Sequence, residues 1–145
     1  SLACADEEFA RLEGILANKA EDGIRPFAVR DHIRAAVYKG FGPYRATAAM
    51  EEAMEELKRI RNEELPKQVV SDASHVWNRE WKEAIENINM LELAEMSIAA
   101  SLLREETRGS YVRPEFPEQD DENWACMLVC HEKDGEKVFE KVQLP

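Results

Sequence analysis

The stretch Ile88-Asn89-Met90-Leu91-Glu92-Leu93-Ala94-Glu95-Met96-Ser97-Ile98-Ala99-Ala100-Ser101-Leu102-Leu103 decides the fold. Apolar side chains occupy nearly every face of a helix there, and only Glu92 and Glu95 are charged. A helix that is apolar all round is buried all round. It therefore predicts a long central helix covered in part by companion helices, with any face left over requiring another domain or subunit. Upstream, Asn78 suits the N-cap, and Trp81, Ala84, Ile85, Ile88 and Leu91 form the early stripe. One helix over 78–107 follows, roughly 45 Å long at about 1.5 Å per residue. Trp77 and Trp81, one helical turn apart, and Trp124 read as packing anchors.

Working outward, Asp6 can cap a short helix over 6–19 whose stripe is Phe9, Leu12, Ile15 and Leu16. Asp22-Gly23 breaks it. Pro26 then suits the first turn of a second helix, which turns Val29, Ile33, Ala36 and Val37 inward and ends at Gly40, Gly42 and Pro43. Thr47 is the expected N-cap of a third helix with stripe Met50, Ala53, Met54, Leu57 and Ile60, closed by Pro66. Residues 67–77 read as a connection. Beyond Gly109 the chain is irregular and acidic, and then 125–131 and 137–144 flank Lys133-Asp134-Gly135-Glu136. That Asp-Gly step is a strong hairpin signal. A hairpin alone is marginal, so it should lean on the helices. The expected class is mainly α: a bundle of about three main helices plus a short N-terminal one, followed by a small C-terminal β-hairpin. One domain spans 1–145, helical over 6–109, with the irregular segment and hairpin over 110–145.

Length and composition agree with that class. The chain has 145 residues, 44% hydrophobic and 34% charged, which suits one globular domain rather than a disordered segment. No apolar run approaches the ~20 residues of a membrane span, and the acidic start has no signal-peptide pattern. The net charge is −11; residues 1–47 hold seven acids and seven bases, so the whole excess lies in 48–145. Such a balance argues against nucleic acid, whose phosphates demand clustered cations. Three cysteines do not make a secreted disulfide framework, which points to a reducing cytoplasm. There is no GxGxxG, no GxSxG and no HExxH, and His32, His75 and His131 lack ligand spacing. The start on Ser1, with no Met, reads as a processed end, an expression scar or an excised piece.

Three constellations stand out. Arg104, Arg108 and Arg113 gather near a helix C-terminus, where they can complement the dipole and pair with Glu105 or Glu115. Alternatively they form a guanidinium cluster for a carboxylate, a phosphate or an acidic surface. Asp120-Asp121-Glu122 reads as a solvated or N-capping stretch rather than a metal site, for no histidine is near. Cys126 and Cys130, four apart on one strand face, read as buried thiols.

Several motifs then fall into register with a known pattern: Asn78-Arg79-Glu80, Glu92-Leu93-Ala94-Glu95-Met96, Arg104-Glu105-Glu106-Thr107-Arg108-Gly109, and above all Phe116-Pro117-Glu118-Gln119-Asp120-Asp121-Glu122-Asn123-Trp124. With Gly42-Pro43-Tyr44-Arg45-Ala46-Thr47 upstream, about residues 24–142 resemble the C-terminal domain of the succinate dehydrogenase/fumarate reductase flavoprotein family. Tyr111 stands where that family usually has His, and Thr107 where it usually has Ser.

The resemblance implies a helical domain that packs against flavin-binding and capping domains, with FAD and the chemistry held by those parts. It assigns no catalytic, cofactor-binding or metal-binding residue within this chain, and the isolated chain is expected to have no activity. Arg45, Arg108 and Arg113 match the family's pattern arginines and, together with Tyr111, are expected as interdomain contacts. The isolated piece is expected to pair with a second copy through the face meant for the missing domains. The alternative reading is a free-standing acidic helical adaptor that binds a basic or apolar partner.

Overall fold

The computed structural model describes residues 2–143. In chain order the elements are α1 (Leu2–Ala17), α2 (Pro26–Gly40), α3 (Thr47–Arg59), a π-helical turn (Ile60–Glu64), a 3-10 turn (Leu65–Lys67), α4 (Arg79–Leu103), α5 (Asp121–Trp124), β1 (Cys126–Lys133) and β2 (Glu136–Gln143). The mainly α class with a C-terminal antiparallel hairpin therefore holds. By packing, the residues form two compact units. One runs to Ala35 and resumes over Leu57–Glu92; the other comprises Ala36–Glu56 and the chain from Leu93 onward.

In the first unit Leu16, Val29, Ile33, Leu57, Ile60, Val70, Ala84 and Leu91 are buried. The expected stripe of α1 is only half used: Leu16 is buried, but Phe9 is 62% exposed. The reason is that α1 is anchored from its second half onward, where Trp81 Nε1 donates to Leu12 O at 3.0 Å and Asn18 Nδ2 donates to Pro66 O at 2.8 Å and Gln68 O at 2.9 Å. A short parallel bridge joins Ile24 to Gln68. Asn87, fully buried, donates to Pro26 O and to Gln68 Oε1, both at 2.7 Å. Buried amides are stable only when so satisfied. The π-helical turn carries the buried Glu64 to His32 (2.8 Å) and Arg59 (2.5 Å).

Asn78 does cap α4, its Oδ1 accepting from Trp81 N at 3.0 Å. Trp77, however, is not an anchor. It precedes the helix, is 98% exposed, and holds φ at +58°, a left-handed conformation that costs a bulky residue about 1–2 kcal/mol. Asn tolerates that conformation. Trp77→Asn is therefore expected to raise the thermal midpoint by about 2–4 °C; a fall in calorimetry would show that the ring is held by something beyond this chain.

The second unit buries Ala36, Met50, Ala53, Ala94, Ile98, Trp124 and Cys126. Gly40 lets the end of α2 meet α3, since a Cβ there would lie 2.4 Å from Ala53 Cβ. The all-round apolar run is not all buried: Leu93 is 62% and Leu103 47% exposed. The hairpin pairs Cys126 with Gln143 through Lys133 with Glu136. Asp134 at φ +54° and Gly135 at φ +81° form its turn, both positive as a type I′ turn requires. Cys126, Leu128, Cys130 and Phe139 share the less exposed face; Met127, Val129, Val138 and Val142 share the exposed one. All three cysteines are free thiols. Among the described residues no helix is long and apolar enough to cross a membrane.

Candidate functional site

The second unit concentrates its polar chemistry where the end of α4, the loop before α3 and the segment 104–120 meet. Backbone pairing sets the frame: Arg45 N donates to Val112 O at 2.8 Å, and Val112 N to Pro43 O at 2.7 Å. Thr107 ties the loop to itself. Its hydroxyl accepts from Arg113 N at 2.9 Å and donates to Phe116 O at 2.9 Å, while Thr107 N donates to Glu118 O at 3.0 Å.

Within this frame Arg113 is 1% exposed. Its Nη1 donates to Ser101 O at 2.5 Å and Arg104 O at 2.7 Å, and its Nη2 to Thr47 Oγ1 at 2.9 Å. This is why α4 stops at Leu103, four residues before the expected 107: the guanidinium captures carbonyls that a further turn would have used. It also corrects the expected cap of α3. The Thr47 hydroxyl serves Arg113, and the Thr47 N–H is answered instead by Glu115 Oε1 at 2.8 Å. That hydrogen bond is the main reason the Glu115 carboxyl lies below its ordinary range.

The hub carboxylate is Glu106 rather than Glu105. Fully buried, its Oε1 accepts from Arg104 Nη1 at 2.5 Å and Arg108 Nε at 2.7 Å. Its Oε2 accepts from Arg108 Nη2 and from Asp120 N, both at 3.0 Å. Burial opposes ionisation of Glu106, but Arg108, the Asp120 N–H and Arg104 together outweigh it and hold the carboxyl below its usual range. Glu106, and secondly Asp121 at 2.6 Å, push the Arg108 guanidinium up. Arg104 also donates to Trp124 O and Cys126 O at 2.9 and 2.7 Å, fastening the hairpin. Asp120 caps α5 through Asn123 N at 3.0 Å, the capping role read from the acidic stretch.

Arg45, Arg108, Tyr111 and Arg113 thus converge on one cluster, with Arg104, Glu106, Thr107 and Ser101 added by the structure. Arg45 and Tyr111 line a cavity of about 270 Å³. An acid flanked by arginines two residues before and after it is the one sequence signal that could have singled out Glu106.

By fold, this is a helical domain closed by an arginine-clasped loop and a hairpin. The fumarate reductase flavoprotein C-terminal model matches residues 30–144, and the chain belongs to that family. It is 34% identical over 134 residues to the fumarate reductase flavoprotein subunit of Mycobacterium tuberculosis, covering 92% of this chain and 23% of that protein. Similarity to the succinate dehydrogenase flavoprotein subunit of Coxiella burnetii is 29% over 119 residues, 82% of this chain and 20% of that one. In structure it matches the Mycobacterium smegmatis Sdh1 complex in the apo form with a TM-score of 0.84 and 26% identity, over 99% of this chain and 25% of that chain. The chain therefore spans about a quarter of the length of these relatives and corresponds to their C-terminal helical domain. These matches favour that reading over a free-standing adaptor.

Gly23 and Gly40 serve packing: a Cβ on Gly23 would meet Val69 Cγ2 at 2.4 Å, and one on Gly40 would meet Ala53 Cβ at 2.4 Å, so neither can open a cradle for the phosphates of a dinucleotide.

Proposed function

We propose that this domain braces the flavin-binding and capping domains of an FAD-dependent oxidoreductase of the succinate dehydrogenase/fumarate reductase type, without contributing a catalytic group. The observation that carries it is the uncovered apolar surface on α4, Leu93 and Leu103, in a chain matching about a quarter of its relatives. Singly exposed leucines are ordinary; two on a helix this apolar mark a face that is covered elsewhere. Arg45, Tyr111 and Arg108 meet the neighbouring domains, and Arg113, buried within the unit, sets the loop that presents them. The same face gives the isolated chain a route to self-association, readable by light scattering.

The test is made on the full-length subunit. Leu93→Asp puts a charge on a side chain already exposed in this domain, so it should leave the domain folded while lowering the temperature at which flavin fluorescence is released. An unchanged release temperature overturns the bracing role. Titration of FAD into this chain alone should give no saturable signal; tight binding would show that the cofactor assignment is wrong.

A further inference from the structure

Arg45 is the guanidinium of the cluster that no described carboxylate answers. Arg104 and Arg108 share Glu106, Arg108 also reaches Asp121, and Arg113 has Glu115 at 3.8 Å. Arg45 instead donates from Nε to Gly42 O and from Nη1 to Ser101 Oγ, both at 2.9 Å. Both acceptors are neutral. Its guanidinium carbon lies 3.9 Å from the centroid of Phe41 and 4.5 Å from that of Tyr111, so two rings fix its plane. Nη2 is left as the edge still able to donate.

Beside it, the Tyr111 hydroxyl is buried and has no hydrogen-bond partner among the described residues. Burial pushes this phenol up, and burial, with Arg113 adding to it, pushes the Arg45 guanidinium down. A buried phenol donor is thus left unsatisfied beside a partly desolvated cation at one small cavity, and the buried hydroxyl costs free energy until an acceptor arrives. One group answers both. A carboxylate has two coplanar oxygens and a single charge, matching a guanidinium edge beside a phenol. A phosphate carries more charge than this one unanswered cation balances.

We propose that the Arg45–Tyr111 cavity receives a carboxylate from an acidic side chain of the flavin-binding or capping part of the full-length subunit. This rests on the proposed bracing role and names the chemistry of the contact. Arg45 Nη2 and the Tyr111 hydroxyl both donate to the incoming group, with Phe41 and Tyr111 excluding water from the pair.

The experiment uses the full-length subunit carrying Arg45→Lys, treated with a water-soluble carbodiimide and analysed by peptide mass spectrometry. A lysine placed against the carboxylate forms an amide with it. The expected product is a cross-link from residue 45 to an Asp or Glu beyond the sequence described here, absent from the wild type. Arg45→Gln and Tyr111→Phe should each lower the flavin-release temperature, the former more. Cross-links from the native lysines into the flavin part, with none from residue 45, overturn the cavity contact and leave the bracing role standing. No cross-link of any kind into the flavin part overturns both. If residue 45 links only to acids within this chain, the cavity is closed by its own domain and the inference fails. Should added sodium acetate raise the release temperature of the wild type and not of Arg45→Gln, the cavity takes a free acid, and the side-chain source is wrong.

Discussion

Arg113→Ala is expected to remove about 3–5 kcal/mol of stability, the range found when one member of a buried charged network is deleted. The guanidinium is 1% exposed and joins three partners at once: the carbonyls of Ser101 and Arg104 and the hydroxyl of Thr47. Truncation strands the carbonyls of Ser101 and Arg104 at the end of α4, where no helical N–H follows. It frees the Thr47 hydroxyl at the start of α3, and it opens a void the size of the side chain. Against a total of about 5–15 kcal/mol for a domain, that is a large share. The fall should appear in urea as a lower midpoint at an unchanged slope. Arg113→Lys should recover only a minor part, because one ammonium cannot reach two carbonyls on one side and a hydroxyl on the other. A loss below about 1 kcal/mol would mean that water replaces these donors and that Arg113 does not set the end of α4.

Sequence periodicity found the elements whose signals are local. Pro26 and Gly40 bound α2 as read, Asn78 caps α4, and Asp134-Gly135 turns the hairpin. In each case the residue that makes the signal also satisfies the backbone beside it. What stayed hidden depends on partners far along the chain. Nothing within 104–107 ends α4; the terminator is a guanidinium at residue 113. Thr47 is a good capping residue by type, yet its hydroxyl is taken by that guanidinium and its N–H by Glu115. Asn87 and Gln68 look like surface amides until their mutual hydrogen bond is seen. Trp77 and Trp81 share a helical spacing, but the helix begins between them. At the site, family resemblance supplied Arg45, Arg108, Tyr111 and Arg113. It did not supply the hub, because Glu105 and Glu106 are the same letter and the placing of Arg104 and Arg108 two residues to either side of Glu106 is the one local signal that separates them.

Glu106→Gln tests that hub. The amide keeps the shape but withdraws the negative charge from Arg104 and Arg108, leaving two guanidiniums facing a neutral group in a buried place. About 3–5 kcal/mol is expected here too, somewhat less if Arg108 falls back on Asp121. The pH dependence carries a second, independent signature. The folded carboxyl lies below its ordinary value of 4.5, so as pH falls the unfolded chain takes up the proton first. Stability from this group is therefore complete above the ordinary value and is lost as pH drops through it toward the folded value. Asp121, lowered chiefly by Arg108, and Glu115, lowered chiefly by the Thr47 N–H, act in the same direction. The thermal midpoint of the wild type should thus decline steadily below about pH 5. In Glu106→Gln the curve should start lower near neutrality and descend less steeply, since the residue that supplied part of the slope no longer titrates. Two parallel curves would show that Glu106 is ionised no more readily in the folded chain than in the unfolded one, and that the arginines are held by their backbone contacts alone.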